Sequence, residues 1–544
     1  MDFQFWMLPE DQMHMDQADE DGRHQAHPSN VTAPRTHPYA DNDEPLMTTI
    51  SQDEPAPSSD SAELPSKGVK QTFPSRQMMQ ELVELFFSDI HKYLPCLHRS
   101  KFLADIDEEG ALERPTALIL SVLAAATSIH PDPGLKRNGA DWNTQAKRMF
   151  DSAVTQGQFS LPNLQAAVWM IFYGFIVADM AEVWVLLGKA YRMACPLGFH
   201  QIDTKRTGVV GFARPPRTLE EKEERRRVMW ALYLLDRGLS SGCGWPLAIN
   251  DRHFMVNFPI EDDVFQSADN EDFANAFSEP FVHASFTSPT FSSPNGDSQT
   301  CYSLVLKINV LMGRIMEYNN DPDPFSCPEQ RSNEFDELVA QLTRFSVSLP
   351  PKYTSLLGTS KAEGGMLLWL NFLLHSCFVL LHHPTVSESS SSSSLSNVRS
   401  PTSVSPGSVP NGAQSSEFLR CLAAVKNIIA LINDAAIISS ESLLNPFFAP
   451  IYAVCARILV VHFLETGDQT SRSNIDLLLL VLDRMPWTAM VNKYKNTTLR
   501  DLTRDPRSVN HIKISNGNYL EPECAPASMQ SEEYHGRIPN VAQR

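Results

Sequence analysis

Gly238, Leu239, Ser240, Ser241 and Gly242 together satisfy the G-x-S-x-G expression, in which a serine hydroxyl is held at a strained turn for nucleophilic attack. That chemistry needs a strand before the serine and a helix after it. Here a helical segment precedes Ser240 and an extended segment follows, so the geometry is reversed and a chance match is expected. His200, His253, His375, His382 and His383 show no H-x-x-x-H spacing with a nearby carboxylate, and read as surface or internally bonded side chains. Nine cysteines are scattered, and the closest pair, Cys301 and Cys327, stands 26 positions apart. With no C-x-x-C, they suit a reducing compartment, in which a thiol inside an apolar run behaves as a small hydrophobe. The glycines near position 208 lack the lysine and the preceding strand of a phosphate loop. Catalytic, metal-binding and cofactor-binding residues are therefore expected to be none, and the chain is not read as an enzyme.

One cationic run remains. Arg225, Arg226 and Arg227 could touch nucleic acid, but Glu220, Glu221, Glu223 and Glu224 neutralise them. Glu221/Arg225 and Glu223/Arg227 are i,i+4 pairs, so a solvated, salt-bridged helix face is expected. The whole chain carries a net charge of −19, which argues against coating nucleic acid by bulk charge. Most of the excess lies in residues 1–66, where 14 Asp and Glu stand against Arg23 and Arg35.

The elements that would position these groups are helical. Apolar residues recur at helical spacing from about residue 76, with Met79, Leu82, Val83 and Phe86 on one face. Further helices are predicted near 115–129, 141–156, 161–178, 181–195, 218–239, 301–319, 332–347, 365–382, 417–434, 446–465 and 474–485. No strand alternation of convincing length separates them. Thr218 and Glu221 form a capping box at a helix start. In 161–195, Leu164, Val168, Ile171 and Phe175 make one stripe, and Val183, Leu186, Leu187, Ala190 and Ala194 another. Gly188 is expected to allow a close helix contact there. The longest apolar run, 366–381, is interrupted by Asn371 and His375 and reads as a core helix rather than a membrane span.

The expected fold is all-α: a multi-helix bundle with a disordered N-terminal tail and Ser/Pro-rich loops. Residues 1–72 form the acidic tail, 73–386 the main helical domain, 387–416 a Ser/Pro-rich loop, 417–500 further helices of the same bundle, and 501–544 a polar tail. Segment 278–300 is a second Ser/Pro-rich loop. Ser288, Ser293, Ser400 and Ser405 precede proline, where phosphorylation would add charge, although such loops collect Ser-Pro steps by composition.

The order and spacing of several stretches resemble the fungal-specific transcription factor domain, the middle homology region of zinc-cluster regulators. The resemblance runs through 94–102, Leu164–Gln165–Ala166, Trp184, Gly188, Arg192–Met193–Ala194 and Leu197–Gly198–Phe199–His200. It continues through Arg225–Arg227, Trp230, Tyr233, Leu235–Asp236–Arg237, Ser240, Gly244, Pro246 and Ile249, and ends weakly in Pro259 and 380–384. It implies a nuclear transcriptional regulator, possessing this helical domain and controlling a secondary-metabolite or nutrient-use gene cluster. The family's usual companion is a zinc binuclear cluster of six cysteines within about thirty residues. The first cysteine here is Cys96, so the cluster is expected to be missing. Trp245 also replaces an arginine common in the family turn.

The implied partners are the transcriptional machinery or a DNA-binding partner protein, with promoter DNA reached only indirectly, no membrane, and a homo- or heterodimer compatible with the family. Phe3, Phe5, Trp6 and Leu8, set among Asp2, Glu10 and Asp11, have the composition of an activation segment whose apolar anchors dock in a partner's groove. The alternatives are a helical serine hydrolase using Ser240 and a non-catalytic interaction scaffold.

Overall fold

The computed structural model describes residues 74–107, 116–204, 211–267, 273–281, 300–321, 327–356, 361–395 and 416–503, positions 212, 274 and 277 excepted. The tail residues Phe3, Phe5, Trp6 and Leu8 and the four Ser-Pro serines lie outside the described residues. Among the described residues the structure is helical, with no strand. In chain order the α-helices are α1 (Arg76–Leu85), α2 (Arg99–Asp107), α3 (Ala117–Thr127), α4 (Pro133–Thr155), α5 (Leu161–Ile176), α6 (Met180–Ala194), α7 (Leu219–Cys243) and α8 (Asp262–Gln266). They continue as α9 (Cys301–Asn319), α10 (Pro328–Ser348), α11 (Lys361–Leu395), α12 (Ser416–Ser439), α13 (Ala449–Thr466), α14 (Gln469–Asp483) and α15 (Thr488–Leu502).

α5 is the hub. The Ser160 hydroxyl accepts the Asn163 N–H at its start, and 14 of its 16 residues are buried. α3, α4, α6, α7 and α15 all pack on it. A helix buried all round cannot be amphipathic, which is why its apolar residues fill both expected stripe and opposite face. α3 is buried along its whole length for the same reason. One apolar core runs from Met79 to Tyr494, so the helices after residue 417 complete the same interior as those before residue 386.

Close helix contacts fall where the side chain is absent, though not at Gly188. A Cβ on Gly174 of α5 would lie 2.4 Å from Val183 Cγ2 of α6, and one on Gly139 of α4 would lie 1.9 Å from Thr127 Oγ1 of α3. A Cβ on Gly188 would meet only the flexible end of Arg192, at 3.4 Å. The stripe Val183, Leu186, Leu187, Ala190 and Ala194 is buried as expected, but Val185 beside Gly188 is exposed.

Several boundaries differ from the sequence expectation. α4 starts eight residues earlier, because Asp132 caps it and Pro133 occupies its first turn. α7 does not stop at Gly238. Burial of Leu234, Leu235 and Leu239 carries it to Gly244, whose φ of 69° and N–H to the Ser240 carbonyl end it. α2 and α15 had no strong period and were not anticipated as helices. Glu363–His382, Ser416–Leu444 and Pro446–Thr466 are each long and apolar enough to cross a membrane by length and composition. The sequence expectation counted only uninterrupted apolar residues. Within the fold, most of the first and third of these windows is buried in the bundle.

Candidate functional site

The polar residues that carry the resemblance converge on α7, and they are not on a solvated face. Arg225 and Arg227 are 6% and 1% exposed, and Glu223 and Glu224 are 0% and 3% exposed. The expected pairs do form: Arg225 donates to Glu221 at 2.7 Å and Arg227 Nε to Glu223 at 3.0 Å. What the spacing did not disclose is that distant segments close over them.

Glu223 also accepts the Ile260 N–H at 3.0 Å and Arg226 Nη1 at 3.1 Å. Arg227 reaches the Pro95 carbonyl at 3.0 Å, the Ile260 carbonyl at 2.8 Å and Asp262 at 2.6 Å, while its guanidinium lies 4.1 Å from the Phe265 ring centre. Arg226 grips Asp203 with two bonds of 2.7 and 2.6 Å. Apart from the Arg225 Nε, which finds no partner among the described residues, the guanidinium groups of this lattice meet carbonyls or carboxylates, the condition under which buried charge is tolerated. One turn of helix ties together 95–97, 203 and 257–262.

The Leu235–Asp236–Arg237 motif does the same at the other end. Asp236 accepts the backbone N–H groups of Ala248 and Ile249 at 3.0 Å each. Arg237 bonds Asp236 and Asp251 at 2.6 Å and lies 3.6 Å from the Tyr233 ring centre. The extended segment that follows inserts Phe254, Val256, Phe258 and Ile260 while Met255 faces outward. Phe258 stacks on Trp230, ring centres 4.8 Å apart. Trp245 packs edge-on against Trp184, ring centres 5.3 Å apart.

Ser240 sits inside α7, fully buried, its hydroxyl without a hydrogen-bond partner among the described residues. Helix on both sides excludes the strand-to-helix turn that nucleophilic attack requires. His375 is pushed down to about 4 by burial, and burial also lowers His200 and His382. His382 bonds Glu417 at 2.6 Å, joining α11 to α12. Burial raises the thiols of Cys421 and Cys455 to about 12. Among the described residues no group of three or more His, Cys, Asp and Glu side chains could hold a metal ion.

Beside the start of α7 lies a cleft of about 850 Å³, walled by α2, the start of α5 and residues 197–199 and 213–218. Its lining includes Lys101, Gln165, Arg214, Arg217, Glu221, Glu224 and Arg225. Glu221 is the hub of its rim. Burial disfavours the charge, but the Arg217 backbone N–H and the Arg214 and Arg225 guanidiniums outweigh it and hold the carboxyl at about 2. A second cleft, of about 930 Å³ and lined by Asp89, Tyr93, Trp369, Asn445 and Trp487, contains none of the residues that carry the resemblance.

The family model for the fungal specific transcription factor domain matches residues 83–338, which include α7, its lattice and this cleft. Among curated proteins, the chain is 26% identical over 207 residues to the Zn(2)-C6 fungal-type transcription factor FTF1c of Fusarium oxysporum f. sp. lycopersici. It is 26% identical over 213 residues to the citrinin biosynthesis transcriptional activator mrl3 of Monascus ruber, and 26% over 192 residues to the ascochitine biosynthesis cluster transcriptional regulator of Didymella fabae. These alignments cover 36%, 37% and 34% of this chain but only 21%, 40% and 32% of the relatives' own lengths.

Proposed function

From the premise that this chain carries a fungal specific transcription factor domain, we propose that it is a transcriptional regulator of secondary-metabolite genes. The supporting observation is that the matched segment coincides with the buried lattice of α7. The motifs shared by resemblance are the buried braces of a helical module, and Ser240 is enclosed within that module rather than set at a reactive turn, which favours the regulator over the hydrolase. Relatives named for citrinin and ascochitine biosynthesis favour metabolite clusters over nutrient use.

In this reading the chain acts in the nucleus through the transcriptional machinery or a DNA-binding partner. Residues 1–72 serve as an activation segment, 73–386 with 417–500 as the helical module, 387–416 as a Ser/Pro-rich loop that α11 enters as far as Leu395, and 501–544 as a polar tail. Phe3, Phe5, Trp6 and Leu8 are its anchors, kept accessible by the surrounding carboxylates. Tethering the 544-residue chain to a heterologous DNA-binding module tests this reading. Reporter transcription should rise, and should fall severalfold when Phe5, Trp6 and Leu8 are together replaced by Ala, because apolar anchors carry helix-in-groove binding. A tethered chain that leaves the reporter unchanged would refute the reading.

A further inference from the structure

We propose that the cleft beside the start of α7 binds a small, largely apolar monoacid bearing a hydroxyl group. Its volume of about 850 Å³ lies in the range of small-molecule sites. Phe102, Leu118, Phe159, Leu161, Leu197 and Phe199 supply apolar wall. Such a wall alone would take any greasy molecule, so the chemistry rests on the polar groups set into it.

Gln165 is 3% exposed and lines the cleft. Its Nε2 donates to the Cys96 carbonyl at 3.1 Å and to Glu224 at 3.2 Å. Both partners are acceptors, which fixes the orientation of the amide. The Gln165 Oε1 is left as an acceptor that receives no hydrogen bond among the described residues. Glu224 cannot serve it, because a carboxylate has no proton to donate; its second oxygen accepts from the Lys101 ammonium at 2.5 Å. A ligand filling the cleft would cover this open acceptor, so a hydroxyl or N–H on the ligand is favoured, since an unmet polar group is costly to bury.

At the rim, Arg225 is used internally, by Glu221 and the Arg214 carbonyl. The Arg217 guanidinium pairs with no carboxylate among the described residues, and Arg214 shares one edge with Glu221. These two side chains suit one carboxylate. Glu220 lines the same cleft and disfavours a second negative charge. The inference extends the regulator reading by giving it an effector class, but binding is measured directly and stands or falls independently of the reporter.

The probe is 6-hydroxy-2-naphthoic acid, titrated into the purified full chain by its fluorescence. Saturable one-to-one binding is expected. 2-Naphthoic acid, lacking the hydroxyl, and 2-naphthol, lacking the acid, should each bind about tenfold more weakly. Naphthalene-2,6-dicarboxylic acid should be excluded. Arg217→Gln should remove the preference for the acid while leaving 2-naphthol unaffected, and Gln165→Met should remove the preference for the hydroxyl. Ala213→Trp, at the cleft wall, should abolish binding with the helical circular dichroism retained. No saturation by about 1 mM would overturn the proposal. So would equal binding of the acid by Arg217→Gln and the parent, a test that needs no buried substitution.

Discussion

Glu221 accepts from the Arg217 backbone and from two arginines, so its ordinary pKa of 4.5 falls to about 2 in the folded chain. A depressed carboxyl stabilises the fold above its unfolded pKa, and that contribution is lost as pH falls through the folded value. Glu221→Gln should therefore lower stability by about 1–3 kcal/mol at pH 7. The gap between variant and parent should close between pH 4.5 and 2, which chemical denaturation at stepped pH would show. Arg227 poses a sharper case, because removing it leaves Glu223 buried without its i,i+4 partner. Arg227→Ala should cost about 3–5 kcal/mol in the same assay, whereas a solvated surface pair would cost less than about 1. A loss below about 1 kcal/mol would show that the lattice is wet.

At the scale of elements, Gly174 is the contact that lets α6 lie on α5. Gly174→Ala drives a methyl into Val183 and should destabilise by about 1–3 kcal/mol, while Gly188→Leu should be nearly neutral. Melting temperatures of the two variants decide between these positions. The contrast shows how far sequence reading reached. Helices with strong apolar runs, such as α5, α9 and α13, were visible because burial writes itself as composition. α2 and α15 were not, since their surfaces are polar on most positions and long-range packing decides them. The i,i+4 pairs of α7 were legible as pairs. Their burial was not, because Pro95, Asp203, Ile260 and Asp262 come from segments with no local signature. Gln165 sat in plain view within a recognised stretch, but only the fold shows that its amide lines a cleft.

For the whole molecule, the interior does not end where the family match does. The match stops at Leu338, inside α10, while α11, α12 and α13 go on to seal the older helices. Phe447 stacks on Phe175 of α5 at 5.5 Å and on Trp369 of α11 at 5.2 Å. A chain cut after residue 338 should therefore aggregate, or be digested by protease far faster than the full chain. Limited proteolysis of the two side by side checks this, and equal resistance would mean that the first helices fold alone.

That shared interior bears on how any truncation map of this chain is to be read. Shortened versions that fall silent after losing residues beyond 338 would look as though an effector region had been removed. With Phe447 gone, the aromatic cover over α5 is lost, and silence would report collapse of the scaffold rather than loss of a signal. Point substitutions on exposed side chains, which leave this seam closed, are the informative perturbations, and the extent of sequence likeness is a poor guide to where such a chain can be cut.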